Sequence, residues 1–397
     1  MLGTLLRNER LKQNMSQQAL CEGICSVSYL SKIESNTVTP SDEIFDLLFD
    51  CLGINLVRDQ SKIELFLSGF NSFWNDYLAY TTPTVPKELE TLATECLYSH
   101  QTINAHILLY YSTNDAQYLN RLKDFEALFS VDQRLAYTLA YSQTLNSEDQ
   151  ILYLLHATGI DHYGIIHQEL GVAYYITGLY YSAIETLSHA YERFSKQGNV
   201  KGMYLSSFTM GSSYANLTYT SPDQLEMMEF YYNRGLKLNR YLKDPNASSS
   251  INYNLGATYL LIGDYTKAQL HLTRAYEHTQ SETLQHIELN TLILQKLCLL
   301  NIFQNKRDLA QNHFDQLEKP TDRLSKTVYA LLDFMLENPD YIHQKEYESI
   351  LIMCKDTANL QAHHGYVLMY VKFLIQYYKA NRLYKKALAL TSEFNIS

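Results

Sequence analysis

Helix breakers are scarce in this chain, with 15 glycines and 7 prolines in 397 residues, where about 12% of positions is usual. The shortage disfavours a turn-rich all-β fold and excludes collagen-like and low-complexity chains. Six scattered cysteines make no disulfide framework. Most of them sit in apolar patterns, as reduced buried thiols of a cytosolic protein would. Positive charge is in the minority too, 32 Lys and Arg against 42 Asp and Glu, for a net of −10. No run approaches the ~18 uncharged apolar residues of a membrane span. Arg7, Glu9 and Arg10 interrupt the start before the apolar core of a signal peptide could form. Also missing are the phosphate-cradling GxxxxGKS/T loop, HExxH, GxGxxG and the GxSxG elbow. The expectation is a soluble cytoplasmic protein of two or more modules, without catalytic site, cofactor or metal.

Helical periodicity dominates what is present. In YSAIETLSHAYERF, the residues Ala183, Ile184, Leu187, Ala190, Tyr191 and Phe194 recur at i, i+3, i+4 spacing. No segment alternates long enough to predict a strand, so the fold class is all-α. Beyond about residue 70 the chain repeats itself. ELGVAYYITGLYYSAIETLSHA and NLGATYLLIGDYTKAQLHLTRA align without a gap, sharing Leu170/Leu255, Gly171/Gly256, Tyr174/Tyr259, Gly178/Gly263 and Ala183/Ala268. Looser copies carry Met210-Gly211 and Cys298. The anchors Gly171, Gly211, Gly256 and Cys298 lie 40, 45 and 42 residues apart, longer than the ~34 of a tetratricopeptide repeat, so longer helices or loops are implied. Segments 88–160 and 320–397 read as degenerate flanking repeats. Such repeats stack into a solenoid whose concave face is lined by the first helix of each pair. The division predicted is residues 1–66 for an N-terminal domain with its linker helix and 67–397 for the repeats.

The sharpest local signal is SQQALCEGICSVSYLSKIE, residues 16–34. Ser16 caps a short helix over Gln17–Gly23 with Leu20 buried, and a turn at Ile24-Cys25 follows. Ser26 then caps a second helix over Val27–Glu34 with Leu30 and Ile33 inward. Neither helix is long enough to be stable alone. Packed against Leu2–Gln13 and Ser41–Leu52 they make a helix-turn-helix, whose second helix enters the DNA major groove N-terminal end first. The base-reading candidates are Val27, Ser28, Tyr29 and Ser31, with the cap Ser26 at the entering end of the helix. Gln17, Gln18, Arg10 and Lys32 are placed at the phosphates, with Arg7 beside them. Charge is thin: Arg7, Arg10, Lys12 and Lys32 against Glu9, Glu22 and Glu34 leave a net of +1 over residues 1–40. Useful affinity therefore calls for a homodimer on an inverted repeat in double-stranded promoter DNA.

SYLSKIE followed by Pro40-Ser41 resembles the Cro-like helix-turn-helix family. The turn is one residue shorter than usual. That short Ile24-Cys25 turn, with Ile33-Glu34-Ser35 and Val38-x-Pro40-Ser41, resembles the PlcR-like (TprA-like) branch of the Rap/Rgg/NprR/PlcR/PrgX peptide-pheromone receptors. The resemblance implies a quorum-sensing transcription factor switched by a short signalling peptide in the concave groove of its repeats. It also implies that asparagines on the first helices hold the peptide backbone by paired amide hydrogen bonds. Carried onto this sequence, Asn-Tyr-Asn-Leu-Gly places Tyr253 and Asn254 at a gripping position. By register Gln168, Tyr175, Phe208, Ser212, Asn216, Ala257 and Gln295 join them. Two alternatives stay open: a peptide-independent repressor of a mobile element, and a Rap-type regulator acting through protein–protein contacts.

Overall fold

A computed structural model describes residues 1–81, 84–277, 284–361 and 364–394, and every regular element among them is helical. The all-α expectation holds. The chain separates into two compact units, Met1–His162 and Tyr163–Ser397.

The first unit opens with α1 (Leu2–Lys12), α2 (Gln17–Cys21), α3 (Val27–Glu34), α4 (Asp42–Asp50) and α5 (Gln60–Leu78). It continues with α6 (Lys87–Glu95), α7 (Thr102–Thr113), α8 (Ala116–Leu122), α9 (Val131–Ser142) and α10 (Ser147–Ala157). Its boundary lies far beyond residue 66 because later segments pack back onto the first helices. The Val57 N–H donates to the Tyr98 carbonyl at 2.9 Å, and Lys62 pairs with Glu95 at 2.9 Å. The flanking segment 88–160 accordingly belongs to this unit. Both predicted caps are present: Ser16 Oγ accepts from the Ala19 N–H at 3.1 Å, and Ser26 Oγ from the Tyr29 N–H at 3.2 Å. Helix α2 stops at Cys21, two residues short of the expected Gly23. Gly23 has φ +75°, a left-handed conformation that ends a helix and suits glycine. Leu20, Leu30 and Ile33 are fully buried, as expected, and so is nearly all of Cys21.

A buried ion pair ties α1 to α3. Arg10 donates from Nε to Glu34 Oε1 at 2.6 Å and from Nη2 to Oε2 at 2.9 Å, with side chains only 8% and 4% exposed. Its Nη1 donates to the Met15 carbonyl at 2.7 Å, and Gln17 Nε2 donates to Glu34 Oε2 at 2.8 Å. Burial pushes the Glu34 carboxyl up, but Arg10, Gln17 and the charge of Arg7 outweigh it, leaving the group below its ordinary value.

The second unit is a run of helix pairs: α11 (Ile165–Ile176) with α12 (Tyr180–Gln197), α13 (Val200–Leu217) with α14 (Leu225–Leu242), and α15 (Pro245–Ile262) with α16 (Tyr265–Glu277). There follow α17 (Leu284–Phe303), α18 (Arg307–Asp315), α19 (Arg323–Glu337), α20 (Lys345–Gln361), α21 (His364–Ala380) and α22 (Tyr384–Phe394). The long repeat spacing is taken up in helix length, since α12 to α15 have 18 residues each and α17 has 20. The shared small residues sit where the helices meet: Ala183, Ala190, Ala268 and Ala275 are completely buried. A Cβ on Gly171, Gly211 or Gly256 would lie 2.5, 2.7 or 2.6 Å from a side-chain carbon of Leu187, Tyr232 or Leu272 on the partner helix. Gly263, with φ +88°, closes α15 in the left-handed conformation.

Three outcomes follow. Arg10→Met strands the Glu34 carboxylate in a dry site and should cost about 3–5 kcal/mol, with Arg10→Met plus Glu34→Leu recovering most of it. Hydrogen-exchange protection of α1 and α3 amides in the full chain reads this directly. Because the folded Glu34 value is depressed, its contribution is complete above its unfolded pKa of about 4.3 and is lost as pH falls through the folded value. Gly256→Ala should cost about 1–3 kcal/mol by overpacking against Leu272, seen as a lower thermal midpoint.

Candidate functional sites

The helix-turn-helix presents the N-terminal half of α3 outward. Val27 is 43% exposed, Ser26, Ser28, Ser31 and Lys32 are exposed, and Tyr29 is half-buried. The fold thus leaves the expected base-reading residues on one accessible face of α3. Gln18 is exposed at the start of α2, beside backbone N–H groups of that short helix. Arg10 corrects the sequence reading. Placed there at the phosphates, its guanidinium is consumed inside the domain by Glu34 and Met15. Gln17 is half-buried and turned onto the same carboxylate. Positive charge at this surface therefore comes from Arg7 and Lys32, both exposed, and from Lys12, which pairs with Glu9. A hydrophilic residue at an amphipathic helix position gives no sequence signal that its partner is interior. Only the α1–α3 approach reveals it.

In the second unit a cavity opens between the first helices of successive pairs and α21. Six of the nine peptide-site candidates line it: Tyr175, Ser212, Asn216, Tyr253, Asn254 and Ala257. Their polar atoms are already connected. Asn254 Nδ2 lies 3.4 Å from Ser212 Oγ, which is 3.0 Å from the Tyr232 hydroxyl, and Asn216 Nδ2 donates to the Ser212 carbonyl at 3.1 Å. Burial raises the Tyr175 phenol to about 12, against hydrogen bonds from Asn216 and Ser212. The tyrosines here are neutral donors at any physiological pH.

The other three candidates lie elsewhere. Gln168 is 3% exposed and accepts from Ser206 Oγ at 2.7 Å. Phe208 stacks on Tyr204 with ring centroids 6.0 Å apart and leans on Tyr232. Gln295 faces a neighbouring cavity with Thr291, Leu292 and Val328. All three stand three residues before the anchor position. At 100° per residue that is about 60° from the face packed on the partner helix, so they sit at the groove edge. Of that set, Tyr253 alone reaches the cavity.

Residues the sequence reading passed over share the lining, among them Tyr219, Tyr232, Lys296, Tyr366 and Met369. Tyr366 and Met369 come from α21, about seventy residues beyond α17 in sequence, and no local pattern announces them. Lys296 did carry a signal, a lone cation in the apolar run LILQKLCLL. It is 5% exposed, its Nζ is 3.4 Å from Met369 Sδ and 5.8 Å from the Tyr366 ring centroid, and burial lowers its ammonium to about 8.

Residues 6–58 match the helix-turn-helix family HTH_3. A 46-residue stretch is 52% identical to the transcriptional activator NprA of Geobacillus stearothermophilus, covering 12% of this chain and 11% of that relative. The apo form of the quorum sensor NprR from B. thuringiensis superposes with a TM-score of 0.55 at 16% identity, covering 83% of this chain and 99% of that one. A Rap protein complexed with Competence and Sporulation Factor gives 0.55 at 14% identity, covering 84% and 97%. No described helix is long and apolar enough to cross a membrane. The chain thus carries a helix-turn-helix domain and, over most of its length, the helical-repeat fold of NprR and Rap.

Proposed function

We propose that this protein is a quorum-sensing transcriptional regulator, a cytoplasmic DNA-binding protein rather than an enzyme, switched by a short peptide held in the cavity of its helical repeats. The observation that carries the reading is the pairing, in one chain, of an accessible α3 face with a cavity lined by Tyr175, Ser212, Asn216, Tyr253 and Asn254. An extended peptide exposes a donor and an acceptor at every residue, and burying them unpaired is costly. Asparagine supplies both an acceptor and donors, so one side chain can satisfy one peptide unit. The kinship of the N-terminal stretch to a transcriptional activator, and the fold shared with a quorum sensor, support the same reading.

On DNA, Val27, Ser28, Tyr29 and Ser31 read bases, Ser26 stands at the N-terminal end of the same helix, and Lys32, Gln18, Arg7 and the α2 backbone meet phosphates. With Arg10 paired to Glu34 the net charge of residues 1–40 stays at +1, and one cation fewer is free to meet phosphate. Two copies are therefore required, arranged as a homodimer on half-sites spaced by whole helical turns. Ser28→Ala or Tyr29→Ala should lose about 1–3 kcal/mol on the specific duplex and little on a scrambled one. A duplex with one half-site should bind far more weakly than one with two. Gel shifts on the three duplexes decide; equal losses on specific and scrambled DNA would assign these residues to folding or phosphate contact.

Asn254→Ala should weaken peptide binding by roughly 1–3 kcal/mol and leave peptide-free DNA binding unchanged. Calorimetry with a peptide that binds the parent protein, beside a gel shift of the apo protein, tests both halves.

A further inference from the structure

One lysine is walled in where nothing answers its charge. Lys296 stands in the middle of α17, in the apolar run LILQKLCLL, and is buried. It lines the cavity, with Met369 Sδ 3.4 Å from its Nζ and the Tyr366 ring centroid at 5.8 Å. Among the described residues no carboxylate pairs with it and no oxygen accepts from it. Every other ionisable side chain of the described lining is a tyrosine: Tyr175, Tyr219, Tyr232, Tyr253 and Tyr366. Burial raises each of these phenols above its ordinary value, so none carries the negative charge that would hold an ammonium. An ammonium without a counter-charge is costly in such a place. The free amine is favoured instead, and burial lowers the group to about 8.

A desolvated lysine amine is a nucleophile. At pH 7 about one in ten such groups is free amine, against about one in two thousand for an ordinary lysine. The electrophile that an amine captures reversibly in water is a carbonyl carbon. The walls choose among carbonyl compounds, since tyrosine rings favour a flat aromatic ring. Asn216 and Asn254 offer amide donors and acceptors to a polar substituent on it. We propose that Lys296 is a covalent capture site, forming an imine with aromatic aldehydes and ketones that enter the cavity. The nitrogen lone pair of Lys296 makes a C–N bond to the carbonyl carbon. Both hydrogens on that nitrogen then leave with the carbonyl oxygen as water, and C=N replaces C=O without net oxidation or reduction. The surrounding phenols, held protonated by burial, lend a proton to the departing oxygen and take one back from nitrogen. This site stands independently of the peptide reading given above.

The test treats the full-length protein with limiting 4-hydroxybenzaldehyde and sodium cyanoborohydride, which reduces the C=N bond and fixes the adduct. Peptide mapping by mass spectrometry then reads each lysine. At pH 7, Lys296 should carry at least about tenfold more adduct than the exposed Lys237 and Lys306, well inside its roughly two-hundredfold excess of free amine. That ratio should fall at least about tenfold by pH 9.5, because ordinary lysines gain free amine there and Lys296 has little left to gain. Propanal, the same carbonyl without a ring, should favour Lys296 at least about fivefold less. Lys296→Met should remove the preferred adduct without creating another. Labelling of Lys296 no greater than that of the exposed lysines would overturn the proposal, and so would a ratio that does not move with pH. Equal preference for propanal would overturn the aromatic class, and a new preferred lysine in Lys296→Met would overturn the assignment to this residue. All arms but the last use the unaltered protein, so the result does not depend on the variant folding, and none of them bears on peptide binding.

Discussion

Close approach between the two helices of each pair is the constraint on which the second unit depends. Gly171, Gly211 and Gly256 leave no room for even one carbon against Leu187, Tyr232 and Leu272. Once that face of the first helix is committed to its partner, the opposite face is committed to the groove. The residues available for chemistry are then set by register alone. Packing and recognition are thus two sides of one helix: the same 3.6-residue period that buries Leu255 and Tyr259 presents Asn254 and Ala257 to the cavity. Tyrosine fits this double duty. Its ring fills the space between helices, and its hydroxyl, kept neutral by burial, serves the polar network around Ser212.

In the first unit the equivalent constraint is electrostatic. Helices α2 and α3 have 5 and 8 residues and cannot stand without tertiary support. Arg10 and Glu34 supply it by clamping α1 against α3, and the clamp removes a cation from the surface. A DNA-binding domain stabilised in this way holds few phosphates per copy. Low affinity per domain is what allows a regulator to be controlled through assembly, since coupling or uncoupling two weak readers changes occupancy steeply.

Much of this was legible in the sequence, and the failures have physical causes. The caps Ser16 and Ser26, the inward Leu20, Leu30 and Ile33, and the small Ala183 and Ala268 all follow from local rules that tertiary structure does not override. Asn254 could be placed because two repeats align without a gap, and Ser212 and Asn216 because the looser copy keeps the same anchor at Gly211. Gln168, Phe208 and Gln295 lie outside this cavity, one step of that register, about 100° of rotation, from the position of Asn254. Arg10 was misread because an arginine near a recognition helix looks the same in sequence whether it faces phosphate or a buried carboxylate. The Val57–Tyr98 and Lys62–Glu95 contacts, which join segments about 33 to 41 residues apart, follow from no local pattern. Tyr366 and Met369 reach the cavity from a helix far along the chain.

The central claim is that a peptide in the repeats alters DNA binding by the helix-turn-helix. It is tested most directly by measuring affinity for the specific duplex with and without the small-peptide fraction from a dense culture of cells carrying this gene. The account predicts a change of about 5–150-fold, the usual range of coupling between two sites, that disappears when the fraction is first digested with protease. An affinity that does not move, or a change that survives digestion, would contradict it.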